Sequence, residues 1–580
     1  MHTVAILGGG VGGLSAAHEL STRGFDVHVY EMRDSFGGKA RSIDVPDPPT
    51  GERKPLPGEH GFRFFPGFYQ HIILTMQDIP SGSGKTVKDH LVRATRILIA
   101  QAGKRNELVD TTEFPSTIPD LAVLAQFIWD YALAVRVSPI DVAYFLQRML
   151  TLLLSCDERR KQQWDLLSWW DFIGAEERSE KYRKFLADGM TRTLVAAQAK
   201  LMSARTGGLI AWQIVFDMAR VGNRADQVLD GPTSEVWIKP WVDYLQTAPR
   251  DVKFHKNREV TEIHCRNGVI TEVTVTEVEH TGTRTERTGK TETVKADYYV
   301  AAMPVERLDP LVTPEMRAAD PQLTKLKRLI TRWMNGVIFY LDQNVRLERG
   351  HVLFVDSEWA LTAISQAQFW PDVDLSKYGD GKVQGVLSVD VSDWYSPGHR
   401  TGKCAMECNR DEIFTEVWGQ ILDAIDDGSL DAVNVLYQFM DPAIEFPNPS
   451  EVTNAEPLLI NTAGSWTDRP DAVTKIRNLF LAADFVQTNT DLATMEAANE
   501  AARRAVNGIL KASGSNEPPC YIFEMYEPGV VAQLRALDRI RWYAERGIGR
   551  VFKSAETAAV DVARAMPRLF SLAGYSPSDD

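Results

Sequence analysis

The sequence predicts an α/β fold that grows outward from an N-terminal parallel βαβ unit. Three observations carry this. Thr3–Leu7 is a short apolar run, β-branched at Thr3, Val4 and Ile6, and Gly8-Gly9-Gly10-Val11-Gly12-Gly13 follows at once. Leu14–Leu20 then reads as a helix. Asp26–Tyr30 reads as a second strand ending at Glu31. Gly8-x-Gly10-x-x-Gly13 therefore lies between a strand and a helix, with an acidic residue after the next strand, which is the context a dinucleotide fingerprint requires. Gly8 permits the tight turn, Gly10 admits a pyrophosphate to the backbone, and Gly13 lets the helix pack on the strand. Val11 and Gly12 belong to the same cofactor-binding turn, and the N-terminus of the helix that follows offers free N–H groups and a positive dipole end to the phosphates. Glu31 can accept from ribose hydroxyls, and its carboxylate repels a 2′-phosphate.

At 580 residues the chain predicts two or more domains. A formal net charge of -14 argues against a nucleic-acid partner. Cys156, Cys265, Cys404, Cys408 and Cys520 have neither disulfide nor zinc spacing, so they read as reduced thiols of a cytoplasmic protein with no metal site. The N-terminus is itself the first strand, which leaves no room for a signal peptide of the usual kind. No apolar run reaches the roughly 18 uncharged residues of a spanning helix, so a membrane contact would be peripheral.

Beyond Glu31, Gly37-Gly38 is a second glycine turn with Lys39 and Arg41 beside it, placed to meet the same pyrophosphate. Asp44–Pro57 is rich in Pro and charge and reads as a surface loop. Gly58–Gly67 sets Gly61, Phe62, Phe64 and Phe65 around His60 and Arg63, which suggests a strand close to a flat aromatic ligand. Ser81–Thr86 looks like the end of a phosphate-binding loop, but Ile79 stands where its first glycine is needed, so it reads as a plain loop. Leu121, Leu124, Ile128 and Val135 recur at helical spacing, and Ile140–Leu154 forms a second such segment after Pro139. This region reads equally as buried core or as a membrane-facing surface. Asp165–Asn223 continues helical. Glu259–Arg266 and Val269–Val278 alternate around Asn267-Gly268, a hairpin with a two-residue turn. Residues 279–292 read as a solvated loop and Val294–Ala302 as a third strand. Gly336–Leu341 and Val383–Val391 read as strands and Ile413–Ile425 as a helix. Asn478–Ala483 reads as a strand ending at Asp484, and Leu492–Leu510 as a helix.

The stretch from Asn478 to Asp484, followed by Leu492-Ala-Thr-Met495-Glu496, completes a pattern with the N-terminal glycines and Gly37-Gly38-Lys39. It resembles the FAD-dependent amine oxidase superfamily, and within it the phytoene desaturase, ζ-carotene desaturase and hydroxysqualene dehydroxylase branch. Gly58–Gly67, Leu229–Thr233 with Lys239-Pro240, and Ala301–Pro304 support the resemblance, which covers roughly residues 1–510. It implies a Rossmann-type FAD-binding domain, glutathione reductase-like, from residues 1–75, 230–308 and 455–512. A discontinuous α+β substrate domain (76–229 and 309–454) and a helical C-terminal extension (513–580) complete the expected division. The resemblance assigns Asp484 to the FAD ribityl or phosphate region, the backbone near Met495 to the flavin, Val260 to the adenine, and Gly61–Phe65 to the isoalloxazine. Where the family usually has Gly before the Asp, this chain has Ala483.

The function this implies is FAD-dependent hydride transfer, as a desaturase or a dehydroxylase, on a long apolar isoprenoid or related lipid. His60 and Arg63 are the catalytic candidates, for orienting charge near the flavin. A flavin amine oxidase is the alternative, with Trp370 or Trp466 in an aromatic cage. A prenyl escort protein is the second alternative, weakened by the complete cofactor motifs. A substrate of some thirty carbons resists entry into water by on the order of 20 kcal/mol, so peripheral membrane contact is expected. Two stretches could provide it: Leu121–Leu154, with Trp129 and Tyr131, and a basic tail helix. In the latter, Val530, Leu534, Leu537 and Ile540 form a stripe beside Arg535, Arg539 and Arg541.

Overall fold

The computed structural model describes residues 1–103, 107–110, 137–189, 198–219, 226–281, 284–448 and 451–546. β1 (Thr3–Leu7) turns into α1 (Val11–Ser21) and returns as β2 (Asp26–Tyr30). β3 (Ser42–Val45) and β4 (Leu56–Glu59) then pair antiparallel. The expected Asp44–Pro57 loop is therefore shorter, because Asp44, Val45, Leu56 and Pro57 are taken into this pair. β5 (Arg96–Ala100) and β6 (Glu107–Asp110) precede the helices α2 (Pro139–Leu154) and α3 (Ala204–Ala219). Ser138 caps α2, accepting from the Asp141 amide at 3.2 Å, with Pro139 in the first turn.

β7 (Lys253–His255) leads into β8 (Arg258–Arg266) and β9 (Val269–Thr281), joined at Asn267-Gly268 with φ of 52° and 70° as a primed turn requires. β10 (Arg284–Val294) and β11 (Tyr298–Ala301) follow. This corrects two expectations. Most of the predicted loop 279–292 is strand, and Val294–Ala302 is the end of one strand and the whole of another. β10 pairs with β9 as an exposed edge. Such a strand needs no apolar face, and its charges guard the edge, as in the Arg287–Glu259 pair at 2.7 Å. β12 (Asn335–Leu341), β13 (Gly350–Phe354), β14 (Leu361–Ser365) and β15 (Gly385–Val391) lead to α4 (Arg410–Ala424) and β16 (Val435–Met440). β17 (Leu479–Leu481), α5 (Met495–Ser513) and α6 (Gly529–Glu545) complete the described chain. The Ser81–Thr86 segment is a turn, as expected, closed by a capping box between Thr86 and Asp89.

Two sheets organise these elements. One is a five-stranded parallel sheet in the order β17-β11-β1-β2-β7. Its central strand is covered on both faces, with Val4, Ile6 and Leu7 fully buried. Every residue of α1 is buried, since it lies between this sheet and α5. Asn499 on α5 donates to Ser15 of α1 at 2.8 Å. The other sheet has seven strands in the order β16-β12-β15-β14-β13-β5-β6, antiparallel except for β5 beside β13. α4 covers one of its faces, where Ile413, Val417 and Ile421 pack with Val337, Leu387 and Val389.

The C-terminal helix lies on the protein itself. Val531 and Trp542 of α6 are buried. Arg539 pairs with Glu158 at 3.0 Å, Arg535 with Asp157, and Asp538 receives Arg159 at 3.0 Å. Arg535 and Arg539 therefore meet the protein's own acidic groups, whereas Arg541 is exposed and pairs along the helix with Glu545. Leu121–Val135 lies outside the described residues, as does 547–580. Among the described residues no helix is long and apolar enough to cross a membrane.

Candidate active site

The C-terminal ends of the parallel strands open into a cavity of about 650 Å³. Its first wall is the turn after β1. Gly8 has φ 117°, and a Cβ there would strike the Ala302 carbonyl at 2.7 Å. Gly8, Gly10, Val11 and Gly12 line the cavity, whereas Gly13 lies beneath it. A Cβ on Gly13 would fall 1.9 Å from the Gly8 carbonyl, which is the helix-to-turn contact expected of it. Gly10 caps α1, with no side chain occupying the N–H groups of the first turn and no acidic residue there.

The second glycine turn closes from the other side. Gly10 and Gly37 form a parallel bridge, and Gly37 donates to the Gly9 carbonyl at 2.9 Å. Gly38 has φ 57°. Lys39 lines the cavity but gives its ammonium to Glu306 at 3.0 Å and the Pro457 carbonyl at 2.5 Å. Arg41 turns onto the Gly38 carbonyl at 2.7 Å. Burial and the neighbouring Arg33 lower its guanidinium to about 10. Glu31 accepts from the amides of Gly9 at 2.7 Å and Arg33 at 2.9 Å. Arg33, paired with Glu456, also lines the cavity and was not anticipated.

Val260 lines the cavity on β8, next to Arg258 and Glu259. Asp484, Thr494 and Met495 line it where β17 and α5 meet. Thr494 caps α5 by accepting from Ala497 at 3.2 Å. Burial raises the Asp484 carboxyl, Lys39 opposes this, and Glu306 adds to it. Backbone cradle, open helix N-terminus and flanking carboxylate together form a donor and acceptor set that fits a dinucleotide.

The remaining wall is made by the segment after β4 and by the seven-stranded sheet. Phe62 and Phe64 line it, and Gly61 lies behind them. Arg63 donates to the Ala40 carbonyl at 3.2 Å and to that of Lys39 at 2.6 Å, so it braces the second glycine turn. His60 is buried and shares a hydrogen bond with Asp441 through Nδ1, while its Nε2 has no partner. Burial opposes ionisation of Asp441, but His60, the Ala443 amide and Arg41 hold its carboxyl down at about 2. Burial disfavours the charged form of His60 and Asp441 favours it, so the two groups share one proton along the Nδ1 contact.

Three polar residues from distant parts of the sequence complete the wall: Asp226 before the Gln227–Leu229 strand, His351 on β13 and Asp390 on β15. His351 Nδ1 meets Asp226 at 2.6 Å, and Phe62 and Phe64 pack on the imidazole with centroids 5.1 and 5.0 Å away. Around them the lining is apolar, with Ile97, Ile214 and Leu353. A second cavity of about 160 Å³ lies alongside, sharing Phe64, Tyr69 and Thr494. Trp370 and Trp466 do not line the main cavity. Trp466 instead lies beneath Arg205, 3.9 Å from its ring centroid.

A cavity that begins as a nucleotide cradle and ends on aromatic rings places the protein among the dinucleotide-dependent oxidoreductases. The match to the flavin containing amine oxidoreductase family runs over residues 11–510, and the chain belongs to that family. It is an FAD-dependent enzyme. Among relatives, the zeta-carotene desaturase of Synechocystis sp. is 25% identical over 518 residues, covering 87% of this chain and 97% of that protein. The zeta-carotene desaturase of Arabidopsis thaliana is 24% identical over 537 residues, covering 88% and 85%. In fold the chain is similar to putrescine oxidase bound to putrescine, with TM-score 0.56 and 12% identity over 88% of this chain and 99% of that one. It is also similar to an oxidoreductase from Methanosarcina mazei, with TM-score 0.53 and 14% identity over 88% and 100%.

Proposed function

We propose that the protein is a desaturase that removes hydrogen from a long apolar isoprenoid of the carotenoid type. The observation that carries this is the match to zeta-carotene desaturases along nearly their whole length. When bound, FAD supplies two-electron oxidation. The residues that would hold it are the Gly8–Gly13 turn with the α1 N-terminus, Glu31, Gly37-Gly38, Val260, Asp484 and the α5 N-terminus near Met495. The parallel sheet and the β8–β10 sheet then form the cofactor half, and the seven-stranded sheet with the helical region forms the substrate half. Arg63 serves this reading as a positioning residue for the Lys39–Ala40 loop. His60 lines the cavity, tied to Asp441.

Ile97, Ile214, Leu353 and the Phe62 and Phe64 rings suit a hydrocarbon, each buried CH₂ contributing about 0.8 kcal/mol. Trp370 and Trp466, either of which could have supplied part of an amine oxidase's aromatic cage, do not line the main cavity. Collection of such a substrate from a bilayer follows from its insolubility. Of the two stretches this reading favours Leu121–Leu154, because Arg535 and Arg539 of α6 pair with Asp157 and Glu158. Within it α2 turns Phe145, Met149 and Leu152 into the core and leaves Ile140 exposed. Reduction of the bound flavin by zeta-carotene under anaerobic conditions tests the proposal.

A further inference from the structure

Asp390 occupies a seat shaped for a carboxyl group. It lies in a cross-strand row with Gly336 of β12 and Thr362 of β14. A Cβ on Gly61 would come within 2.7 Å of Asp390 Oδ1, and one on Gly336 within 3.0 Å. Only glycine on both sides leaves room for the group. Oδ1 is buried without a partner, yet the residue as a whole is partly exposed, and that exposure opens on the cavity it lines.

Apart from Asp484, the other carboxylates of the cavity wall are engaged, Glu259 by Arg287 and Asp226 through one oxygen only, its Oδ1 being buried without a partner. Glu31 accepts from two backbone amides, Glu306 receives Lys39, Glu456 receives Arg33, and Asp226 holds His351. Asp484 stands on the nucleotide side, at the end of β17. Asp390 alone of these lies on the seven-stranded sheet with an oxygen uncommitted to a side chain.

We propose that Asp390 is the proton acceptor of the desaturation, a role that rests on the desaturase reading above. Making a C=C bond from adjacent CH groups removes two hydrogens. One leaves as hydride with both electrons of its C–H bond, to the FAD that oxidises the substrate. The other leaves as a proton to a carboxylate oxygen of Asp390, and the electron pair of its C–H bond becomes the second bond of the alkene. The substrate loses two electrons and FAD gains them. Asp390 becomes a carboxylic acid and returns its proton to solvent after product release.

The surroundings suit that exchange. Burial pushes the carboxyl up to about 7, against Arg63, His351 and the Phe62 amide, with Glu59 adding to the rise. Arg63 and Glu59 face it from β4 and the segment that follows, and His351 faces it from β13 with Asp226 behind. The His60–Asp441 pair adjoins through the His60 carbonyl, which accepts from the Gly336 amide at 2.7 Å. A base poised near the working pH is the efficient one.

The test uses the holoenzyme and Asp390→Asn, which keeps the shape of the group. Wild-type flavin reduction by zeta-carotene should accelerate as pH rises through about 7. Asp390→Asn should slow it by on the order of 100-fold and remove that pH step, with flavin content and visible spectrum unchanged. Infrared pH-difference spectra of the holoprotein should show a protonated carboxyl that titrates near 7 and is missing from the variant. A variant rate within about threefold of wild type, or no such carboxyl in the infrared, would overturn the assignment. Failure of the desaturase reading itself looks different: zeta-carotene would then fail to reduce the wild-type flavin at any pH, while the infrared titration remained.

Discussion

Gly10 and Gly38 face each other across the nucleotide cradle at the limit of backbone approach. A Cβ on Gly38 would lie 3.0 Å from the Gly10 Cα, and one on Gly10 would lie 3.7 Å from the Gly38 Cα. A larger side chain at either position fills the space a pyrophosphate needs. Gly10→Val is therefore expected to abolish FAD retention. Glu31→Ala should weaken it by roughly 1–3 kcal/mol, since the Gly9 and Arg33 amides lose their acceptor and the ribose loses a charged one. Flavin absorbance per protein after gel filtration measures both. Full occupancy in Gly10→Val would show that the cradle is not the site.

NAD(P)H should not be a required partner. The sequence has one complete glycine fingerprint, and it is the one that lines the cavity. Anaerobic mixing with NADPH should leave the flavin spectrum unchanged over many turnovers' worth of time. Rapid, saturable bleaching would contradict this.

Asp390 makes stability depend on pH in a direction opposite to an ordinary paired carboxylate. Its folded value, about 7, lies above the ordinary 3.8, so the folded state binds the proton more tightly than the unfolded chain does. The stability this contributes is complete at low pH and is lost as pH rises through about 7. Asp390→Asn stays neutral throughout. It should therefore gain on wild type between these limits, by up to about 1.4 kcal/mol per pH unit. Urea midpoints at pH 5 and pH 8 check the sign: the variant's advantage must be larger at pH 8.

The tail helix should contribute stability and not membrane affinity. Arg159 is buried and holds Asp538 at 3.0 Å and Glu545 at 3.1 Å. Arg159→Ala should cost about 2–3 kcal/mol, read as a lower urea midpoint. Co-sedimentation with anionic liposomes should be the same with and without residues 513–580. Loss of liposome binding on removing them would return the arginines to a headgroup role.

The nucleotide half of the molecule was legible because its signals are local. Turn, helix start and acidic strand end all fall within Thr3–Glu31, and the Asn267-Gly268 hairpin declares itself in two residues. The β10 strand was not legible, since an exposed edge carries charge on both faces and shows no alternation. Asp226, His351 and Asp390 were missed for a different reason. His351 and Asp390 sit in ordinary strand contexts, and only the pairing of β13, β14 and β15 brings them together, while Asp226, just before a short strand, joins them through its bond to His351. Arg63, a candidate for orienting charge near the flavin, lines the cavity, and its donors go to the Lys39 and Ala40 carbonyls.

The most direct measurement is anaerobic stopped-flow of the oxidised holoenzyme against two reductants, zeta-carotene in detergent-dispersed lipid and putrescine. The account predicts that zeta-carotene bleaches the flavin absorbance with saturation, giving a product with a longer conjugated chromophore, while putrescine leaves it oxidised. Bleaching by putrescine with none by zeta-carotene would contradict the desaturase assignment and make the protein an amine oxidase.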